Sequence, residues 1–202
     1  MKIPATLYLK FFLITVLLII FLKNNVAYSH IFEELGFEGG VRHPFLGIDH
    51  FLCMLAVGMW GMLIGGRSIW MLPVVFPLIM GLGIYIGVLP NQLYLYQELV
   101  IALSLTVIGS AIALNFKPKE FITILIVSFF AIFHGYAHGM EIPLTSNPNL
   151  YIIGSIVGTS IIHIMGIVLG FIIIRVFSDN VLRVLGGLIA FSSIYHIYLA
   201  FS

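Results

Sequence analysis

The chain has 202 residues, 61% of them hydrophobic and only 8% charged, where soluble domains carry roughly a quarter charged residues. That composition excludes an ordinary soluble domain, and a formal net charge of +1 with no basic run excludes nucleic acid as a partner. The length allows six or seven helical spans of roughly 20 residues across a ~30 Å hydrocarbon layer, with no second domain, and the single Cys53 excludes a disulfide framework or thiolate cluster.

From the N-terminus, Lys2 and Lys10 precede an apolar run over 11–22, and a polar stretch closes on Ala27-Tyr28-Ser29. Small residues three and one positions before His30 predict a signal-peptidase site. Residues 1–29 therefore read as a cleaved signal peptide and 30–202 as a single six-helix transmembrane domain; an uncleaved first helix is the alternative. Glu33, Glu34 and Glu38 follow beside His30, either as an ordinary solvated segment or as a collector of cations.

Six apolar segments follow, over 44–65, 69–89, 93–114, 121–138, 150–176 and 181–201. The fold class is thus all-α, a polytopic membrane helix bundle. Arg67, Lys117, Lys119, Arg175 and Arg183 fall in alternate joins, and the joins 90–92 and 139–149 hold neither Lys nor Arg. With the mature N-terminus periplasmic, all five cations face the cytoplasm of a multi-pass inner-membrane protein, as the positive-inside rule requires. Glycine pairs at helical spacing, Gly61/Gly65, Gly83/Gly87, Gly154/Gly158 and Gly166/Gly170, predict close helix packing.

Ionisable groups inside a membrane are costly, so each is a functional candidate. The first segment opens His43-Pro44-Phe45-Leu46-Gly47-Ile48-Asp49-His50. Pro44 suits a first helical turn, and a continuing helix would bring His43 and His50 to nearly one face, with Asp49 adjacent. Two imidazoles and a carboxylate suit divalent nickel, cobalt, zinc or copper; the alternative is a helix cap and an interhelical hydrogen bond. The fourth segment ends on His134, His138 and Glu141, spaced i, i+4, i+7, which aligns a second such set if the helix runs that far. It lacks the His-Glu-x-x-His of a zinc protease, so no general base stands between the ligands. Because the two segments run in opposite directions, both motifs lie toward the non-cytoplasmic face. His163 lies about thirteen residues into its segment, hence ~20 Å deep at 1.5 Å per residue. His196 reads as an interfacial residue rather than a ligand. Met54, one turn below His50, reads as an apolar filler or a soft ligand.

The string His43-Pro44-x-x-Gly47-x-Asp49-His50, with Met54 and Ala56-Val57-Gly58 after it, resembles the signature of the HupE/UreJ family of nickel/cobalt permeases. Phe133-His134-Gly135-Tyr136-Ala137-His138-Gly139-x-Glu141-x-Pro143 is similar to that family's second motif. The resemblance implies secondary uptake of Ni2+ or Co2+ for hydrogenase, urease or cobalamin pathways, with His43, Asp49, His50, His134, His138 and Glu141 handling the ion. His163 is added here as a deeper step. Members often carry a His-rich stretch after the signal peptide, and here only His30 stands among glutamates. The ion is substrate, with no prosthetic group; Zn2+ fits the same donors, the lipid bilayer is the other partner, and a homo-oligomer is compatible. No enzyme activity is expected; the alternatives are a zinc-dependent intramembrane hydrolase and a non-transporting metal sensor or assembly protein. No Gly-x-x-x-x-Gly-Lys-Ser/Thr loop is present, so ATP does not drive the chain directly.

Overall fold

A computed structural model describes residues 36–89 and 96–201. The signal peptide, its cleavage site, His30, Glu33, Glu34 and the join 90–92 lie outside the described residues. Every described element is helical: α1 Gly36–Arg42, a 3-10 turn His43–Phe45, α2 Ile48–Ile64, α3 Ser68–Val88, α4 Gln97–Ala113, α5 Glu120–Met140, α6 Pro148–Val176 and α7 Asp179–Ala200.

The first expected segment, 44–65, is not one helix. Pro44 offers no N–H and sits in the 3-10 turn, which Leu46 closes by donating to the His43 carbonyl at 3.0 Å. Gly47 is then extended, with φ −82° and ψ 116°, and its carbonyl accepts from Phe51 to open α2. The two helical pieces, Gly36–Phe45 and Ile48–Ile64, meet at 79°. Four helices, α3, α5, α6 and α7, are long and apolar enough to cross a membrane, and the bent pair would make a fifth. Helix α4 is apolar but has 17 residues, and positions 93–95 of its expected segment lie outside the described residues. The chain is therefore an all-helical membrane protein.

Glycines set the helix spacing. On α3 and α5 the Cα atoms of Gly83 and Gly135, and of Gly87 and Gly139, face each other so closely that a methyl group on any of the four would strike a backbone carbonyl opposite. The sequence showed Gly83/Gly87; its partners Gly135 and Gly139 have the same four-residue spacing. Helix α6 uses Gly154 and Gly158 against α1, and Gly166 against Gly58 of α2. Van der Waals contact between backbones is what holds helices together where lipid removes the hydrophobic drive. Gly65 departs from the expected packing role: with Gly66 it takes positive φ, +80° and +58°, in the turn between α2 and α3, where it meets no neighbour.

The two ends of the bundle differ. At one end Arg67 lies 3.8 Å from Glu120, the Arg183 guanidinium donates to the Ala113 carbonyl at 2.9 Å, and Trp60 Nε1 donates to the Phe116 carbonyl at 2.9 Å. These bonds gather the α2–α3 turn, the α4–α5 link and the start of α7. The other end carries His43, Glu141 and the α6 N-cap Asn147, whose side chain accepts from the backbone of Asn149 and Leu150. Arg42 stands at that second end too, paired with Glu38 at 2.6 Å, one turn away on α1.

Candidate metal site

Both expected ligand strings converge, but through the bend rather than along one helix. His43, on the 3-10 turn, reaches Glu141 with Nε2 at 2.8 Å from Oε2, and its ring meets that of His138 at 4.6 Å between centroids. One donor atom each from His43, His138 and Glu141 lie within 4.8 Å of one another. Helix α5 ends at Met140, so Glu141 follows the helix as its cap; it still completes the stripe begun by His134 and His138. Burial alone would raise the Glu141 carboxyl. The hydrogen bond and charge of His43 outweigh it and hold the carboxyl below its ordinary range.

His50, the third residue of α2, lies under this mouth. Its ring is 4.8 Å from that of His138 and 5.0 Å from that of His134. Asp49 Oδ1 accepts from both the backbone N–H of His50, at 2.9 Å, and its Nδ1, at 3.0 Å. The carboxylate thus orients the neighbouring imidazole, the arrangement by which metal-binding histidines are commonly fixed. Asp49, expected as a ligand, spends Oδ1 on the neighbouring His50.

The same tethering recurs deeper. A carbonyl can only accept, so Nδ1 of His134 must donate to Phe130 O at 3.0 Å and Nδ1 of His163 to Thr159 O at 2.8 Å. In His50, His134 and His163 the proton is held on Nδ1 and the Nε2 lone pair is left over. All three Nε2 atoms, and both ring nitrogens of His138, are buried without a hydrogen-bond partner. Buried imidazole nitrogens normally find partners; a row of lone pairs left open is the donor set a transition-metal cation takes. His163 joins the row through Phe76, whose ring is 5.6 Å from His134 and 5.0 Å from His163.

Several participants escaped the sequence reading. Glu98, in the first turn of α4, is close enough for its charge to couple to Asp49, His50 and Glu141; a lone carboxylate inside an apolar segment was the available signal. On α6, Tyr151, Ser155, Thr159 and His163 recur every four residues and are all buried, a polar stripe running from the mouth inward. The Tyr151 ring lies 5.8 Å from that of His43. His196 is half-buried on α7, its ring against Tyr195 at 5.5 Å.

The family model described as HupE / UreJ protein matches residues 16–196. The chain is 33% identical over 183 residues to Protein HupE of Rhizobium leguminosarum bv. viciae, covering 90% of this chain and 95% of that protein. No solved structure matches. The extent of both matches, running through each histidine string, makes the chain a member of the HupE/UreJ family.

Proposed function

We propose that the chain is a permease for a divalent transition-metal ion, Ni2+ or Co2+. The observation that carries this reading is the close approach of His43, His138 and Glu141 above a row of buried, unpartnered imidazole nitrogens. A hydrated ion enters at the mouth, where the Glu141 side chain is 52% exposed and that of His43 is 23% exposed. It exchanges water for imidazole and carboxylate, passes to His50 and His134, and moves on to His163. Asp49 holds His50 in the tautomer that binds metal.

The end bearing Arg67, Lys117, Lys119, Arg175 and Arg183 is cytoplasmic by the positive-inside rule, and the histidine mouth faces the periplasm across the inner membrane. Signal-peptide cleavage would leave the mature N-terminus on that side. Lacking a nucleotide loop, the chain draws on an ion gradient, the membrane potential or trapping of the ion inside the cell.

Uptake of radioactive nickel and cobalt by cells expressing the wild type, His50→Ala or His138→Ala, with membrane expression verified, tests the reading. Wild-type uptake that both variants lose supports it, and the ratio of the two ions gives selectivity. Well-expressed wild type without uptake of either ion overturns it.

A further inference from the structure

Between the outer imidazoles and His163 lies a group the proposed route does not use. Met54 on α2, Met80 on α3 and Thr159 on α6 are all fully buried. Thr159 Oγ1 is 3.5 Å from Met54 Sδ and 3.4 Å from Met80 Sδ. A hydroxyl has one hydrogen, so it serves one sulfur at a time and leaves the other with its lone pairs open. Helical hydroxyls usually bond back to their own helix, as the next residue does: Ser160 donates to the Ile156 carbonyl at 2.8 Å. Thr159 instead points across to two neighbouring helices.

The level of this group in the bundle follows from helix geometry. Met54 is one turn from His50, Met80 one turn from Phe76, and Thr159 one turn from His163, whose Nδ1 its carbonyl accepts. Helices α2 and α6 descend from the histidine end while α3 rises toward it, so the two sulfurs sit below His50 and above His163. A thioether is a donor that carries no charge and costs little to bury.

We propose that Met54 Sδ and Met80 Sδ, with Thr159 Oγ1 as an oxygen donor, form a soft binding site for the transported cation between the His50/His134 pair and His163. The proposal rests on the permease reading and adds a selectivity step to it. Late first-row divalent ions accept nitrogen and sulfur donors, whereas Mg2+, Ca2+ and Mn2+ hold to oxygen and gain little from thioethers. An ion that has exchanged water for imidazole crosses this level; a hard ion is turned back.

X-ray absorption of the full chain in lipid nanodiscs, loaded with excess Ni2+, reads the donors directly. A sulfur shell beside nitrogen and oxygen is expected in the wild type and in Cys53→Ala, whose thiol is engaged by Ser104 of α4 at 3.1 Å. The double variant M54L/M80L, a volume-conserving change, should lose the sulfur and keep the nitrogen. In vesicles its Ni2+ to Mn2+ uptake ratio should fall about tenfold, the lower bound of a typical loss from a disturbed metal shell. A nitrogen and oxygen shell without sulfur in the wild type, or a sulfur that survives M54L/M80L, overturns the soft site and leaves the permease standing. Wild type that binds neither Ni2+ nor, loaded in its place, Co2+ overturns both.

Discussion

The His43 imidazole is bonded to the Glu141 carboxylate at 2.8 Å, which ties the turn before α2 to the end of α5 across the mouth of the site. The carboxyl is thereby held below its ordinary value. A group whose value is lower in the folded state stabilises the fold above its unfolded value, and that contribution disappears as pH falls through the folded one. Glu141→Gln should therefore melt lower than wild type at neutral pH, and the gap should close on acidification below the usual carboxylate range. Thermal melts of both proteins in detergent across that window check the sign; a gap that widens in acid would contradict it.

On the proposed route Asp49 acts on the ion through His50, so its loss should weaken binding without abolishing the fold. Asp49→Asn keeps an acceptor but drops the charge, and Ni2+ affinity measured by calorimetry should fall between about 10- and 100-fold, the usual cost of removing such a partner. An unchanged affinity would remove Asp49 from the site.

His163→Gln should separate binding from transport. The mouth ligands are untouched, so equilibrium nickel binding stays near the wild type while the maximal uptake rate drops roughly tenfold, equivalent to about 1.4 kcal/mol on the barrier. Equal losses in binding and rate would place His163 with the mouth instead.

The glycine contact between α3 and α5 sets where His134 and His138 stand. A methyl group on Gly135 falls on the Met80 carbonyl, whereas one on Gly187 of α7 meets nothing. Gly135→Ala should cost about 1–3 kcal/mol through overpacking and lower nickel uptake with it. Gly187→Ala should leave both unchanged. Melting temperature and uptake, measured on the same preparations, decide the matter.

Much of this arrangement is legible in the sequence. Isolated histidines in apolar segments cannot hide, and the i, i+4 spacing of His134 and His138 gives the α5 face directly. The break at Pro44 and Gly47 was harder, because periodicity continues through 44–65 and only the extended Gly47 turns the chain. So His43 and His50 do both meet His138, by a corner rather than along a face. Asp49 is ambiguous in the sequence, because a carboxylate beside an imidazole reads equally well as ligand or as orienter. Thr159 was invisible for another reason: a threonine in an apolar helix usually bonds to its own backbone, and its reach to Met54 and Met80 depends on how three helices pack.

The tethered imidazoles bear on what else can cross the bundle. A proton wire needs each ring to accept a proton at one nitrogen and release one from the other toward the next ring. In His50, His134 and His163 the releasing nitrogen is turned sideways, onto Asp49 and onto the Phe130 and Thr159 carbonyls. These rings can take a proton at Nε2 but cannot hand one forward along the row. The same bonds that leave these lone pairs open therefore turn three of the rings away from a relay that enters at one ring nitrogen and leaves by the other.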